Sequence, residues 1–89
     1  MPYDGVSRAV FLEDRFHLTS TEARLVAHLV EGTSLKSSAE ALGVKYESAR
    51  TCLKSIFQKT RTHRQAELVL TVLQAASDFN RETAQSPEF

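Results

Sequence analysis

The chain has 89 residues, 42% of them hydrophobic and 25% charged, with eleven basic and eleven acidic side chains. A chain this short forms one domain with a modest core, which excludes an internal substrate cavity, and its apolar runs of four residues or fewer exclude a membrane span. The single cysteine excludes a disulfide framework and, together with an amino terminus unlike a secretory signal, predicts a cytoplasmic protein.

The first residues predict a short helix or a linker. Pro2 and the Asp4-Gly5 pair favour a turn, and apolar residues then recur at a loose helical spacing up to Phe16. We expect either a leading helix that packs on the main domain through Phe16 and Phe11, or the end of a linker from an upstream domain. The chain then divides into an N-terminal segment, a helical domain and a polar, frayed tail at 1–16, 17–79 and 80–89.

Two helices with clear start and stop signals follow. Thr19 to Glu22 has the sequence of a capping box, in which Thr19 caps and Glu22 reaches back to the Thr19 amide. This helix is expected to stop at Gly32, and Ser34 is expected to cap a second helix that Gly43 ends. The side chains expected to face the core from these two helices are Leu25, Val26, Leu29, Val30, Leu35, Ser38, Ala39 and Leu42.

The next helix has one apolar stripe and one polar face. The stripe consists of Ala49, Cys52, Leu53, Ile56 and Phe57. The opposite face consists of Glu47, Arg50, Thr51, Lys54, Ser55 and Gln58. A short helix, a glycine turn and a longer helix with a polar outer face form the pattern of a helix-turn-helix. We therefore expect residues 46–59 to be a recognition helix that enters the DNA major groove.

Basic residues concentrate around this helix although the net charge of the chain is zero. Residues 45–64 hold six of the eleven Lys and Arg side chains and one acid, so the local charge is +5. This asymmetry favours phosphate binding, and a solvated helix face is the alternative interpretation. Lys45 is a poor N-cap that either meets a DNA phosphate at the helix start or extends into solvent. The segment from Thr60 to Arg64 is a basic connector.

The last helix, predicted over Gln65–Phe79, has more apolar residues than one face of a small domain requires. Leu68, Val69, Val72 and Ala76 are expected to serve the core. Ala66, Leu70 and Leu73 then remain for a partner.

No pattern of catalytic or metal-binding residues is present. The sequence contains no catalytic triad, phosphate-binding loop or carboxylate pair, so we expect no enzyme. His17, His28, His63 and Cys52 lack the spacing of metal ligands, and we expect no cofactor. Cys52 is expected to be a packed small hydrophobic residue, and a redox sensor is the alternative.

Four motifs, in their order and spacing, resemble the LuxR-type helix-turn-helix domain of bacterial transcription regulators. They are LTSTEARLVAHLVEG, SLKSSAEALGV, ARTCLKSIFQKT and HRQAELV. The resemblance covers about Phe16 to Leu73. It implies an all-α, four-helix domain, here with a short leading N-terminal helix, in which the second and third helices form the helix-turn-helix and the fourth commonly mediates dimerisation.

The resemblance also implies site residues. Base contacts map onto Arg50, Thr51 and Lys54. Phosphate contacts map onto Lys36, Tyr46, Ser48 and Lys59, and the charge pattern adds Lys45 and Arg61. We expect Arg50 and Lys59 to make no core contacts. The implied partner is double-stranded DNA with a pseudo-palindromic site, bound by a homodimer joined at Ala66, Leu70 and Leu73, with no small-molecule ligand.

Several residues depart from the family pattern. The family usually has Ser or Thr at Lys45, a β-branched residue at Ala49, often His at Cys52, usually Ile and sometimes Ala at Ser38, and commonly Gly at Arg61. These departures weaken capping and core packing more than they change the outer face. A second function also stays open, a small helical interaction module that dimerises with a regulator through the last helix without reading DNA. Zero net charge favours this alternative.

Overall fold

The computed structural model describes the backbone of residues 5–84 and the side chains of residues 8–78. It contains five α-helices and no strand within that range: α1 (Gly5–Phe16), α2 (Ser20–Val30), α3 (Leu35–Leu42), α4 (Tyr46–Thr60) and α5 (Gln65–Ala84). The prediction of an all-α chain is confirmed. The turn expected at Pro2 and Asp4, and residues 85–89 of the expected tail, lie outside the described residues.

The N-terminal segment forms the helix Gly5–Phe16, and its role as the end of a linker stays a prediction. α1 packs on α2 through Leu12, which is fully buried, and Ala9. Phe11 and Phe16, the predicted contacts, are only partly buried against the core. Leu12 carries more of this packing than either phenylalanine because its helical position points directly at the core.

The predicted caps of α2 and α3 are present. The Thr19 hydroxyl accepts a hydrogen bond from the Glu22 N–H at 3.1 Å, and the Thr19 N–H donates to Glu22 Oε1 at 2.9 Å. The Ser34 hydroxyl accepts from the Ser37 N–H at 3.1 Å. These bonds satisfy backbone donors that have no partner within the helix, and so they fix where each helix begins.

The core lies where α1, α2, α4 and α5 meet. Its largest fully buried hydrophobic side chains are Leu12, Leu25, Val26, Ile56 and Leu68. Leu35, Leu42, Cys52 and Phe57 pack around this core and stay partly exposed. Ser38 is completely buried on α3, and its hydroxyl oxygen has no hydrogen-bond partner among the described residues. A buried hydroxyl without a partner is destabilising, which agrees with the expected cost of Ser at this position.

The last helix is longer than predicted. We expected α5 to end at Phe79 and the chain to fray from Asn80, but the helix continues to Ala84. Residues 80–84 contain neither Gly nor Pro, and most of them favour helix, so polarity alone does not end the helix. Leu68 and Val72 are buried as predicted. Val69 and Ala76, which were also predicted to serve the core, are only partly buried, and Ala75 is buried instead.

Candidate nucleic-acid interface

A three-residue turn, Gly43–Lys45, joins α3 to α4. Gly43 has a φ of 74°, in the left-handed region that favours glycine, and the following Val44 N–H donates to the Ala39 carbonyl at 3.0 Å. Ala39 on α3 and Ala49 on α4 are both 2% exposed, so each helix turns a small side chain inward. The turn and these small side chains fix the orientation of α4 relative to α3.

The rotation of α4 leaves one long face in solvent. Ala49, Leu53 and Ile56 are buried and Cys52 and Phe57 half-buried, as the apolar stripe predicts. On the other side, the exposed residues are Tyr46, Glu47, Ser48, Arg50, Thr51, Lys54 and Gln58. The three expected base-contact residues, Arg50, Thr51 and Lys54, are therefore all in solvent. Arg50 and Lys54 lie one turn apart, about 6 Å along the helix axis.

Ser55 does not belong to this exposed face, and its predicted place there is wrong. The Ser55 side chain is half-buried, and its hydroxyl donates to Glu22 Oε2 at 2.8 Å. Helical spacing puts Ser55 at the border of the apolar stripe, which fits either a solvent-facing or an inward-facing side chain. The packing of α2 against α4 places Glu22 within hydrogen-bond distance of Ser55, and the Ser55 side chain therefore faces α2 and not solvent.

Lys59 is held by the same carboxylate. Its Nζ lies 2.7 Å from Glu22 Oε1, and the Glu22 side chain is 8% exposed while that of Lys59 is 36% exposed. Lys59 was expected to contact phosphate without touching the core. It forms an ion pair with Glu22, a buried charged residue of α2, so its ammonium already has a partner within the protein.

The environment of Glu22 favours its charged form. Burial raises the pKa of the carboxyl, but hydrogen bonds from Lys59, the Thr19 N–H and Ser55 outweigh that effect, so the pKa lies below its ordinary value of 4.5. The capping box predicted only the Thr19 bond. No sequence signal identified Ser55 and Lys59 as partners, because they lie 33 and 37 residues away on another helix.

The first turns of α3 and α4 carry the other expected phosphate contacts. Lys36, Lys45, Tyr46 and Ser48 are exposed there. Lys45 is the N-cap of α4 and makes no side-chain cap bond, as its poor capping chemistry predicts. The Arg50 guanidinium carbon lies 6.0 Å from the centroid of the Tyr46 ring, one turn away on the same helix.

Arg61 ends α4 in a conformation that favours glycine. Its φ and ψ are 59° and 42°, in the left-handed region, and the Thr62 N–H closes the helix by donating to the Phe57 carbonyl at 2.9 Å. The Thr60 hydroxyl donates to the Ile56 carbonyl at 2.8 Å within α4, so the connector begins at Arg61 and not at Thr60. The side chain of Arg61 is exposed next to the carboxyl end of the helix.

No family model, curated protein or solved structure matches this chain. The resemblance to LuxR-type domains therefore rests on the four sequence motifs.

The outer side of α5 is apolar and uncovered. Leu70 is 67% and Leu73 49% exposed, and Ala66 is also exposed. The residues expected to form a dimer surface thus lie in solvent, opposite Leu68 and Val72. Leu70 and Leu73 lie three positions apart, so their exposed side chains are neighbours on the surface of α5.

Cys52 is half-buried beside the Glu22 and Lys59 pair. Burial raises the pKa of its thiol, the charge of Glu22 raises it further, and that of Lys59 lowers it in part.

Within residues 8–78 no cluster of His, Cys, Asp and Glu is arranged to hold a metal ion. No helix in the described part of the chain is long and apolar enough to cross a membrane.

Proposed function

We propose that the chain is a LuxR-type helix-turn-helix DNA-binding domain, alone or as part of a bacterial transcription regulator, and that it binds without catalysing a reaction. The observation that carries this proposal is the exposed side of α4, where Arg50, Thr51 and Lys54 are in solvent opposite the buried Ala49, Leu53 and Ile56. Hydrogen-bonding side chains on one face of a helix are what reading the major groove requires.

Each of the three side chains has a distinct proposed role. Arg50 offers a planar fork of donors that matches O6 and N7 of guanine, and Lys54 donates as a point charge one turn further along. Thr51 lies between them and meets a thymine methyl or a phosphate. The rise of about 6 Å from Arg50 to Lys54 spans close to two base-pair steps, so both reach bases within one half-site.

Phosphate contacts surround these residues in the proposed complex. Lys36 and Lys45, at the starts of α3 and α4, and Arg61, at the end of α4, are exposed cations with no ion pair among the described residues. Ser48 adds a neutral donor. Lys59 contributes less than its charge suggests, because Glu22 already neutralises it.

A homodimer in the cytoplasm would place two copies of α4 on one duplex. The proposed dimer surface is the exposed side of α5 with Ala66, Leu70 and Leu73. Two-fold symmetry then predicts a pseudo-palindromic site with half-site centres about 10 bp apart.

A second candidate is a protein-interaction module that pairs with a regulator through α5 and does not read DNA. The exposure of Leu70 and Leu73 favours it as strongly as it favours the homodimer. The net charge of zero also favours it. The two candidates differ in whether α4 touches DNA.

A salt titration of binding to a random duplex, followed by fluorescence anisotropy, separates the two candidates. Five proposed contact cations, Lys36, Lys45, Arg50, Lys54 and Arg61, have no ion pair in the described part of the chain. The logarithm of the binding constant should then fall with the logarithm of salt concentration at a slope of about −4.5 per domain. An interaction module without DNA affinity shows no such binding at low salt.

A pair of double variants locates the contacts. Arg50→Ala with Lys54→Ala should flatten the slope by about two units. Arg15→Ala with Arg24→Ala removes the same charge from exposed positions on α1 and α2 and should leave the slope unchanged. Equal effects of the two pairs would mean that binding follows total charge and not α4.

A further inference from the structure

Among the residues that the structure describes, Arg50 is the proposed base-contact residue whose side chain contacts another side chain. Its guanidinium carbon lies over the Tyr46 ring at 6.0 Å from the centroid, within the range of a cation–π contact. The two residues are four positions apart, so they are neighbours on the same side of the helix. Tyr46 is 48% exposed and lies outside the core, so burial does not explain the position of its ring.

A guanidinium that reads guanine has to present its fork in one plane. Arg50 has a long side chain with several rotatable bonds, and in solvent it samples many orientations that must be lost on binding. No carboxylate in the described part of the chain forms an ion pair with Arg50, although Glu47 lies only three residues before it. The ring is therefore the group available to order this side chain before DNA arrives.

We propose that Tyr46 is a positioning residue for Arg50, and this inference rests on the proposed function. The aromatic face holds the guanidinium near the exposed side of α4. The N–H donors lie in the guanidinium plane, so stacking on its face leaves them free for O6 and N7 of a guanine. Part of the conformational entropy that the Arg50 side chain would lose on binding a base is then already lost in the free protein.

This role differs from the phosphate contact expected of Tyr46 from the sequence. A phosphate contact needs the hydroxyl, weakens all sequences alike when lost, and does not depend on Arg50. Positioning needs only the ring, affects the base that Arg50 reads, and disappears when Arg50 is absent. Phenylalanine keeps the ring and removes the hydroxyl, so one conservative substitution separates the two roles.

The test uses the full chain with four variants: Tyr46→Phe, Tyr46→Leu, Arg50→Ala, and the double variant with Tyr46→Leu and Arg50→Ala. Each is titrated against the duplex that the parent selects from a random pool and against single-base variants of it. Tyr46→Phe should bind like the parent. Tyr46→Leu should lose about two- to five-fold on the selected duplex, with reduced discrimination at the same base pair as Arg50→Ala. The double variant should bind no more weakly than Arg50→Ala.

Two results would overturn the positioning role. One is an equal loss for Tyr46→Phe and Tyr46→Leu on every duplex, which would assign the hydroxyl to phosphate. The other is additive losses in the double variant, which would mean that the residues act independently.

A measurement without DNA keeps this inference separate from the proposed function. In NMR spectra of the free protein, the ring current should shift the Arg50 side-chain resonances in the parent and Tyr46→Phe, and Tyr46→Leu should return them toward ordinary values. An unshifted Arg50 in the parent would overturn the pairing. Failure of the parent to bind any duplex would overturn the proposed function and the base-reading role, while the shift would still demonstrate the pair itself.

Discussion

The Lys59 ammonium lies 2.7 Å from Oε1 of Glu22, and this contact joins the C-terminal half of α4 to the first turn of α2. The same carboxylate accepts from the Thr19 N–H and from the Ser55 hydroxyl. One side chain therefore completes the cap of α2 and anchors α4. Because Arg50 and Lys54 lie on that helix, the anchor also fixes the direction in which they point.

The ion pair makes Lys59 a stabilising residue. Lys59→Ala should lower the free energy of unfolding by about 1–2 kcal/mol, since it leaves a buried carboxylate with one strong donor fewer, while partial exposure of Lys59 limits the loss. Lys54→Ala is the matched control, an exposed lysine of the same helix that forms no ion pair with any described residue, and should change stability by less than about 0.5 kcal/mol. Urea unfolding of both variants measures these changes in the free energy of unfolding. Equal stability of Lys59→Ala and Lys54→Ala would contradict the structural role of the ion pair.

The Glu22 carboxylate should also make stability depend on pH. Its pKa is lower in the folded chain than its ordinary value of 4.5, so its charged form stabilises the fold fully above that value. The contribution is lost as pH falls through the folded pKa. Glu22→Gln should therefore be less stable than the parent at pH 7, and the difference should shrink below about pH 4.5. A difference that grows as pH falls would show that the shift has the opposite sign.

The sequence predicts the local features of this site and misses its long-range pairing. Capping by Thr19 and Ser34 and the inward stripe of α4 depend on residues within one or two turns, so spacing reveals them. The contacts of Ser55 and Lys59 with Glu22 depend on how α2 and α4 pack. Polar residues at the border of an apolar stripe fit either solvent or a buried partner, and no local pattern distinguishes the two.

Arg61 should gain stability from replacement by glycine. Its φ of 59° is in the left-handed region, which costs a residue with a Cβ about 1–2 kcal/mol, and the extra freedom of unfolded glycine offsets part of that cost. Arg61→Gly should therefore raise the free energy of unfolding by about 0.5–1 kcal/mol. Arg61→Ala is the control, since it removes the same charge and keeps the Cβ.

The same two variants separate stability from binding. If Arg61 contacts a phosphate, both should weaken DNA binding to a similar extent, whereas only Arg61→Gly should raise the urea midpoint. A stabilised Arg61→Ala would mean that the charge, not the backbone conformation, is unfavourable.

The exposed leucines of α5 predict self-association. Leu70→Glu should shift sedimentation of the chain toward monomer with little loss of helicity, because Leu70 is 67% exposed and its removal opens no cavity. Val10→Glu is the control, since Val10 is 57% exposed on α1 and lies outside the proposed dimer surface. A parent chain that sediments as a monomer at high concentration would remove the basis for the dimer.

Base discrimination shows whether α4 reads DNA. The measurement is the affinity of the parent, Arg50→Ala and Lys54→Ala for the preferred duplex and for each of its single-base variants, with Arg24→Ala as a charge-matched control on α2. Arg50→Ala should cost about 1–3 kcal/mol on the preferred duplex and relax the preference at one base pair, with melting unchanged because the side chain is in solvent. If Arg50→Ala and Lys54→Ala both bind and discriminate like the parent, α4 does not read DNA.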